Sequence, residues 1–294
     1  DMWPDVIELR DFYTTPLGHV VRRMIRRKVR ELWPDVKGRQ MMALGYPTPF
    51  LRYYRQEAQR LVALMPAEQG ALSWSGETPN IVVLTEENQL PLADKSIDFA
   101  LVAHALEFTS NPREMIREVW RVLADGGRLI LIVPNRSGIW ARIEKTPFGQ
   151  GHPYSLFQLT QFLKENTFTP IRAESALYIP PSQSRFFLTT ASAWEKIGYT
   201  WFRNLSGVLI VEATKQIYAG NPAEQIIWKG ELKLAKKLIL PLKMERMINR
   251  PHEVDERLVN DANDLLAVKQ GKRAPWEHAV IGTAVLVAMA AWLA

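Results

Sequence analysis

His104 is the residue of this chain best suited to acid–base chemistry. It directly follows the apolar run Ile97 to Ala103, which has the pattern of a buried strand, so its imidazole would stand at the end of that strand. An imidazole can take up a proton near neutral pH, as a general base must. We therefore select His104 as the candidate catalytic residue; the alternative is a half-buried histidine with both ring nitrogens satisfied by neighbouring groups.

The segment that contains this histidine alternates between strand and helix patterns. One strand begins at Val82, a second covers Ile97 to Ala103, and a third covers Arg128 to Val133. Between the second and the third lies an amphipathic helix, in which Met115 and Val119 belong to the apolar face. Continuous apolar strands joined by such a helix predict a parallel sheet that is covered on both faces.

Two motifs in this segment are more specific than the strand pattern. They are LPLADKSIDFALVAHALE, which starts at Leu90, and RVLADGGRLILIVPN, which ends at Asn135. Their order resembles that of the class I S-adenosylmethionine-dependent methyltransferases, specifically the type 11 branch, and the likeness runs from about residue 37 to residue 215. It implies an α/β fold: a Rossmann-like, seven-stranded, mostly parallel sheet with helices on both faces and an antiparallel last strand.

The resemblance also implies a cofactor, S-adenosylmethionine, lying across the carboxyl ends of the first strands. A glycine loop after the first strand would receive the methionine part, a carboxylate after the second the ribose, and a carboxylate after the third the adenine amino group. Strand ends and helix N-termini leave polar backbone groups unpaired at that edge, which suits ligand binding. The residues of this chain at those places are Gly45, Tyr46, Glu68, Glu86, Glu87 and Ala103.

Two of these places depart from the family pattern. In the first loop only Gly45 remains, and Pro47 and Pro49 stand where further glycines are usual. Proline has no backbone N–H to donate, so this loop presents fewer amides than the family's loop. At the ribose position Glu68 is the nearest carboxylate, and losing a paired acceptor there would cost about 1–3 kcal/mol of binding. The expected cofactor is S-adenosylmethionine, and its loss is the alternative.

The segment from Trp140 to Tyr154 is rich in turn-forming and aromatic residues. In methyltransferases of this class such an insertion often closes over the substrate, so Phe148, His152 and Tyr154 are the candidate substrate residues. A plain surface connection is the alternative. Methyl transfer depends mainly on alignment of donor and acceptor, because the sulfonium leaving group is already activated. No metal is expected, and the chain contains no cysteine for a thiolate site.

Composition points to an anionic partner. The formal net charge is +6 and the isoelectric point is near 9.5. The stretch from Leu17 to Trp33 predicts a helix with an apolar stripe and five arginines on its other faces. It could be a cover helix with a solvated basic face or a helix that binds phosphate or a membrane surface. No acceptor-specific motif accompanies the charge, so nucleic acid is not an expected partner.

The chain divides into four predicted parts by pattern and composition. A basic helical segment covers residues 1–36, the methyltransferase-like domain 37–218, and a basic amphipathic extension with a linker 219–275. Residues 276–294 end in the uncharged apolar run from Ala279 to Ala294, have Trp276 and Trp292 near their two ends and follow Lys272 and Arg273. That pattern predicts a C-terminal transmembrane helix and a membrane-associated protein with its catalytic domain on the cytoplasmic side.

Two functions remain open at this point. One is a membrane-tethered methyltransferase that acts on a small or lipid-soluble acceptor. The other is a catalytically inactive methyltransferase-fold subunit or assembly factor of a membrane protein complex, attached through the basic helices and the C-terminal helix. The altered first loop favours the second, and the family resemblance favours the first.

Overall fold

The computed structural model describes residues 3–74 and 81–216 of the chain. The helical extension predicted after residue 218 and the predicted transmembrane segment 276–294 lie outside these residues. The helices are α1 Val6–Thr14, α2 Pro16–Leu32, α3 Tyr54–Glu57, α4 Pro112–Val122, α5 Leu156–Glu165, α6 Arg185–Thr189 and α7 Ala191–Trp201. The strands are β1 Gln40–Gly45, β2 Arg60–Pro66, β3 Val82–Thr85, β4 Ile97–Ala103, β5 Leu123–Pro134, β6 Phe168–Ala176 and β7 Val208–Lys215.

All seven strands belong to one sheet, in the order β3-β2-β1-β4-β5-β7-β6. Neighbouring strands from β3 to β5 pair in parallel, whereas β7 pairs antiparallel with both β5 and β6. This is the seven-stranded, mostly parallel sheet with an antiparallel last strand that the sequence predicted. The predicted fold class is therefore confirmed.

Helices cover both faces of the sheet. Side chains alternate between the two faces along each strand, so an apolar strand presents apolar side chains that must be covered on each face. In β1, Met41 and Ala43 belong to the apolar cluster that contains Ile25 of α2. Met42 and Leu44, from the same strand, belong to a second cluster that includes residues of α4 and α5. All four β1 side chains are at most 1% exposed, as expected for a central strand covered on both sides.

Two residues, Thr15 and Pro16, mark the boundary between α1 and α2. The Thr15 side chain accepts a hydrogen bond from the backbone N–H of Gly18, and Pro16 starts α2, because a proline lacks the N–H that a continuing α1 would need. The Asp5 side chain caps α1 in the same way by accepting from Ile7 N–H. Helix α2 confirms the helix predicted from Leu17 to Trp33, and its apolar stripe packs on the sheet. Helix α1 lies within the basic helical segment predicted over residues 1–36, but it was not predicted as a separate helix.

The prediction of a membrane-associated protein is wrong for the part of the chain that the structure describes. Across residues 3–74 and 81–216, no helix is long and apolar enough to cross a membrane. Helix α2 has 17 residues, but its arginines make the rest of its surface polar, and its apolar stripe packs on the sheet.

The carboxyl ends of the parallel strands meet at one edge of the sheet. We call the loops that follow β1, β2, β3 and β4 the carboxyl edge. They begin after Gly45, Pro66, Thr85 and Ala103. The parallel register, with Gly45 beside Ala103 and Leu44 beside Leu64, brings these loops together although they are far apart in sequence.

Candidate functional site at the carboxyl edge

Helix α1 and Trp3, which precedes it, lie across the carboxyl edge and contact three of its loops. The backbone N–H of Val6 donates to the carbonyl of Gln69, in the loop after β2, at 2.9 Å. The ring of Trp3 packs on Phe108, after β4, with 6.1 Å between ring centroids. The Tyr13 ring stacks on Tyr46, after β1, also at 6.1 Å. The segment from Trp3 to Tyr13 therefore covers the loops at which a ligand of this sheet would bind.

At the centre of the edge, Tyr13, His104 and Glu107 form a buried line of polar groups. The Tyr13 hydroxyl lies 2.7 Å from Nε2 of His104, and Nδ1 of the same ring lies 3.4 Å from Oε1 of Glu107. The three side chains are between 1% and 3% exposed. His104 adopts a left-handed backbone conformation, with φ of +54°, which is uncommon outside glycine and costs about 1–3 kcal/mol.

The position of the proton in this line follows from burial. Desolvation raises the pKa of Tyr13 well above its usual value, with a smaller contribution from Tyr46 and Glu107, so the phenol keeps its proton and donates to Nε2. A neutral imidazole that accepts at Nε2 carries its proton on Nδ1, on the side of Glu107. His104 therefore has the orientation of a histidine base, but its accepting nitrogen is occupied by α1.

Three buried polar atoms of this cluster have no hydrogen-bond partner among the described residues. They are Oε1 of Gln69, Nδ1 of His104 and Oε2 of Glu107. The Gln69 side chain is positioned by its own amide, which donates to the His104 carbonyl at 3.1 Å. A buried polar atom without a partner costs about 1–3 kcal/mol, so the cluster is less favourable than an apolar core of the same shape. Such polarity fits an edge that exchanges α1 for a polar ligand.

The loop that follows β1 is held against the end of the neighbouring strand β4. Gly45 has φ of +95°, and a Cβ built on it would lie 2.2 Å from the Ala103 carbonyl oxygen. The backbone N–H of Tyr46 donates to that same oxygen at 2.8 Å. An amide that would be expected to face a ligand is thus used within the protein. Gly45, Tyr46 and Ala103 are all buried.

The predicted carboxylates lie around the rim of the edge. Glu86 is exposed at the start of the turn after β3, and Glu68 is exposed in the turn after β2. Glu87 is half-buried, and its Oε1 accepts from the Thr109 hydroxyl at 3.2 Å. The structure therefore brings the predicted cofactor residues to one edge, with the carboxylates outside and the first loop beneath α1. Their role in cofactor binding stays a prediction.

The predicted substrate residues separate into two places. Phe148 is 2% exposed and packs on the His104 ring, with 5.1 Å between centroids. His152 and Tyr154 instead line a pocket of about 370 Å³, together with Arg136 and Gln158. Burial, and secondarily the charge of Glu107, raises the pKa of Tyr154 to about 12, so its phenol is a hydrogen-bond donor at neutral pH. The backbone N–H of His152 donates to the Glu107 carbonyl at 2.7 Å, so this pocket adjoins the loop that holds His104.

Sequence reasoning missed Trp3, Tyr13 and Gln69. A signal for the helix was present: Asp5 is a capping residue, and Val6, Leu9 and Tyr13 recur at helical spacing. Nothing in the sequence indicated that this face would pack on the ends of the strands. Gln69 carried no signal, because its role depends on the backbone of the loop after β4.

Part of the chain is similar to known proteins. Residues 45–131 match the model of a family described as methyltransferase domain. An uncharacterized protein of Methanocaldococcus jannaschii is 30% identical over 103 residues, which are 33% of this chain and 50% of that protein. The uncharacterized protein YafS of Escherichia coli is 27% identical over 135 residues, 45% of this chain and 47% of YafS. The chain thus spans half or less of the length of these relatives.

The fold has a counterpart among solved structures. A SAM-dependent methyltransferase of Thermotoga maritima superimposes with a TM-score of 0.51 at 17% identity, covering 72% of this chain and 96% of that one. The family match and the fold confirm the resemblance to class I S-adenosylmethionine-dependent methyltransferases. The cofactor that this resemblance implies is S-adenosylmethionine.

With α1 in place, the residues of the carboxyl edge do not fit that cofactor. The resemblance implies that the methionine part would lie at the Gly45 loop, where Tyr46 and Phe50 are at most 6% exposed and Tyr13 packs on both rings. The Gln69 carbonyl, near the ribose position, is bonded to Val6. A sulfonium nucleoside and α1 would need the same space.

Proposed function

We propose that this chain is an S-adenosylmethionine-dependent methyltransferase whose cofactor site opens only when α1 leaves the carboxyl edge. The observation that carries the proposal is the family match over residues 45–131, which spans Gly45, Glu86 and His104. The buried unpartnered atoms of Gln69 and Glu107 support it, because a purely structural contact would be expected to satisfy them.

The acceptor that we propose is a small polar molecule bound in the pocket beside Tyr154. Arg136 and Gln158 line this pocket, and the protonated Tyr154 phenol adds a donor, so an acceptor with a carboxylate or phosphate group suits it. His104 would serve as the base once Tyr13 has moved, since its Nε2 is the nitrogen that Tyr13 occupies.

The alternative function is that of a catalytically inactive structural subunit or assembly factor. The observation that favours it is the closed first loop, in which the Tyr46 amide is bonded to Ala103 and prolines replace glycines at positions 47 and 49. Under this alternative α1 is a permanent part of the core, and the carboxyl edge binds no nucleoside.

Calorimetric titration of the full chain with S-adenosylmethionine and S-adenosylhomocysteine distinguishes the two. We expect saturable binding that Glu86→Ala weakens by about two- to tenfold, the loss of one exposed hydrogen bond. Glu144→Ala, at an exposed glutamate outside the carboxyl edge, is the matched control and should bind like the wild type. No binding by either the wild type or a variant with a loosened α1 would contradict the methyltransferase proposal and favour the alternative.

A further inference from the structure

A large groove lined by arginines lies on the α2 side of the sheet. Its volume is about 1160 Å³, and it extends to the amino ends of β1, β2 and β4. Among the described residues no aspartate or glutamate lines it. We call it the arginine groove and define it by Arg22 and Arg26 of α2, Arg52 and Arg55 of the β1–β2 connection, and Arg60 of β2.

Most of these arginines differ from their neighbours in having no carboxylate partner. Arg30 makes a bidentate pair with Glu57, at 2.6 and 2.8 Å, and Arg27 pairs with Glu31 at 3.2 Å. Within residues 3–74 and 81–216, the four groove arginines 22, 26, 52 and 60 make no ion pair. A protein concentrates unpaired guanidinium groups at a cost in mutual repulsion, which a bound anion would remove.

The electrostatics of Arg26 agree with this arrangement. Its pKa is lowered chiefly by burial, and the positive charges of the neighbouring Arg22 and Arg52 lower it further. Cations crowded in this way bind phosphate well, because the planar guanidinium donates two parallel hydrogen bonds to it.

Two aromatic rings border the same surface. The Tyr53 ring is 49% exposed, and the Arg26 guanidinium carbon lies 5.0 Å from its centroid. Tyr53 and Arg26 also line a smaller adjoining recess of about 460 Å³. On the other side, the Arg55 guanidinium lies 4.7 Å from the centroid of Trp74, which lines the arginine groove itself. Flat rings among cations offer bases a stacking surface beside sites for their phosphates.

We propose that the arginine groove binds single-stranded nucleic acid, with phosphates on Arg22, Arg26, Arg52 and Arg60 and bases stacked on Tyr53 and Trp74. A free phosphate or a small anion would use the cations but not the rings. A duplex would bury its bases away from the rings, so a single strand suits the groove better. This binding does not depend on the cofactor, since α1 and His104 take no part in it.

The test is fluorescence anisotropy of the full chain with a labelled single-stranded RNA or DNA of about 10 nucleotides, a length within known site sizes. Four phosphate contacts predict a slope of log affinity against log salt of about −3, or a roughly 50-fold loss between about 50 and 200 mM KCl. Arg52→Ala/Arg60→Ala should halve the slope. Arg113→Ala/Arg142→Ala, at exposed arginines outside the groove, removes the same charge and should leave the slope unchanged.

The aromatic part of the proposal has its own variants. Tyr53→Ala should weaken binding by about 5- to 150-fold, the range for losing one base stack, while Tyr53→Phe keeps the ring and should bind like the wild type. Circular dichroism of each variant verifies the fold. Equal slopes for the two arginine pairs would overturn the proposal. So would heparin binding as tightly as the oligonucleotide with no effect of Tyr53→Ala, because the groove would then be a general polyanion surface.

Discussion

Replacing Tyr13 by phenylalanine removes one oxygen from the contact that holds α1 on the carboxyl edge. The ring and its packing on Tyr46 and Phe50 remain, so the change isolates the hydrogen bond to His104 Nε2. That nitrogen would stay buried without a partner, beside an Nδ1 that already has none. Losing the bond destabilises the closed position of α1 by about 1–3 kcal/mol.

If α1 and S-adenosylmethionine compete for the same space, destabilising the closed position of α1 increases the apparent affinity for S-adenosylmethionine. The apparent dissociation constant is the intrinsic one divided by the fraction of protein in the open form. For a protein that is mostly closed, the apparent affinity therefore rises in proportion to that fraction. A change of about 1–3 kcal/mol corresponds to roughly 5- to 150-fold tighter binding. The same substitution should lower the free energy of unfolding by no more than about 3 kcal/mol, because the open form of the folded protein is unaffected.

Calorimetry with S-adenosylmethionine and urea unfolding of the same variant give both quantities. Tyr53→Phe, at an exposed ring outside the carboxyl edge, is the matched control and should change neither. The reasoning is refuted if Tyr13→Phe loses stability while its affinity stays at the wild-type value. Helix α1 would then be a fixed part of the core and not a competitor of the cofactor.

Two further predictions concern the framework of the edge. Gly45→Ala should destabilise the protein by about 3 kcal/mol or more in urea unfolding, because strain at φ of +95° adds to a 2.2 Å approach of the new Cβ to the Ala103 oxygen. Gly38→Ala is the control, since Gly38 has φ of +69° but nothing within 4 Å of the new Cβ, and it should cost only about 1–2 kcal/mol. Equal losses of stability in the two variants would contradict the close approach at Gly45. A hydrogen bond from Arg121 lowers the pKa of Glu118, so its stabilisation is present above the ordinary value of 4.5 and is lost as pH falls through the lowered pKa. The urea midpoint should therefore fall more between about pH 6 and about pH 3 in the wild type than in Glu118→Gln, and parallel losses would exclude this pair as the cause.

Local patterns predicted the scaffold because they depend on neighbours in sequence. The apolar runs of β4 and β5 and the amphipathic face of α4 need only period and burial to be recognised. Helix α2 was predicted for the same reason. The family resemblance carried by the motifs around Leu90 and Asn135 implied a seven-stranded sheet with an antiparallel last strand. It also placed Gly45, Glu86 and His104 at the carboxyl ends of strands, which meet at one edge of a parallel sheet.

Helix α1 could not be placed in this way. Its nine residues show which face is apolar, but that face could pack on any apolar surface of the domain. Its position depends on the contacts of Val6 with Gln69, of Tyr13 with His104 and of the preceding Trp3 with Phe108. These partners come from loops that have no pattern of their own. This position of α1 brings the Tyr13 hydroxyl to Nε2 of His104, and no sequence pattern predicts that contact.

The sequence alone determined which residues carry charge and which carry apolar surface. It determined that α2 has a basic face, but it did not determine that Arg52 and Arg60 join that face, since they come from the β1–β2 connection and from β2. Only the tertiary structure placed these guanidinium groups in one groove and Tyr13 on the carboxyl edge. The physical reason is that burial and electrostatic interaction depend on distance in space, which the chain order does not fix for residues joined by loops.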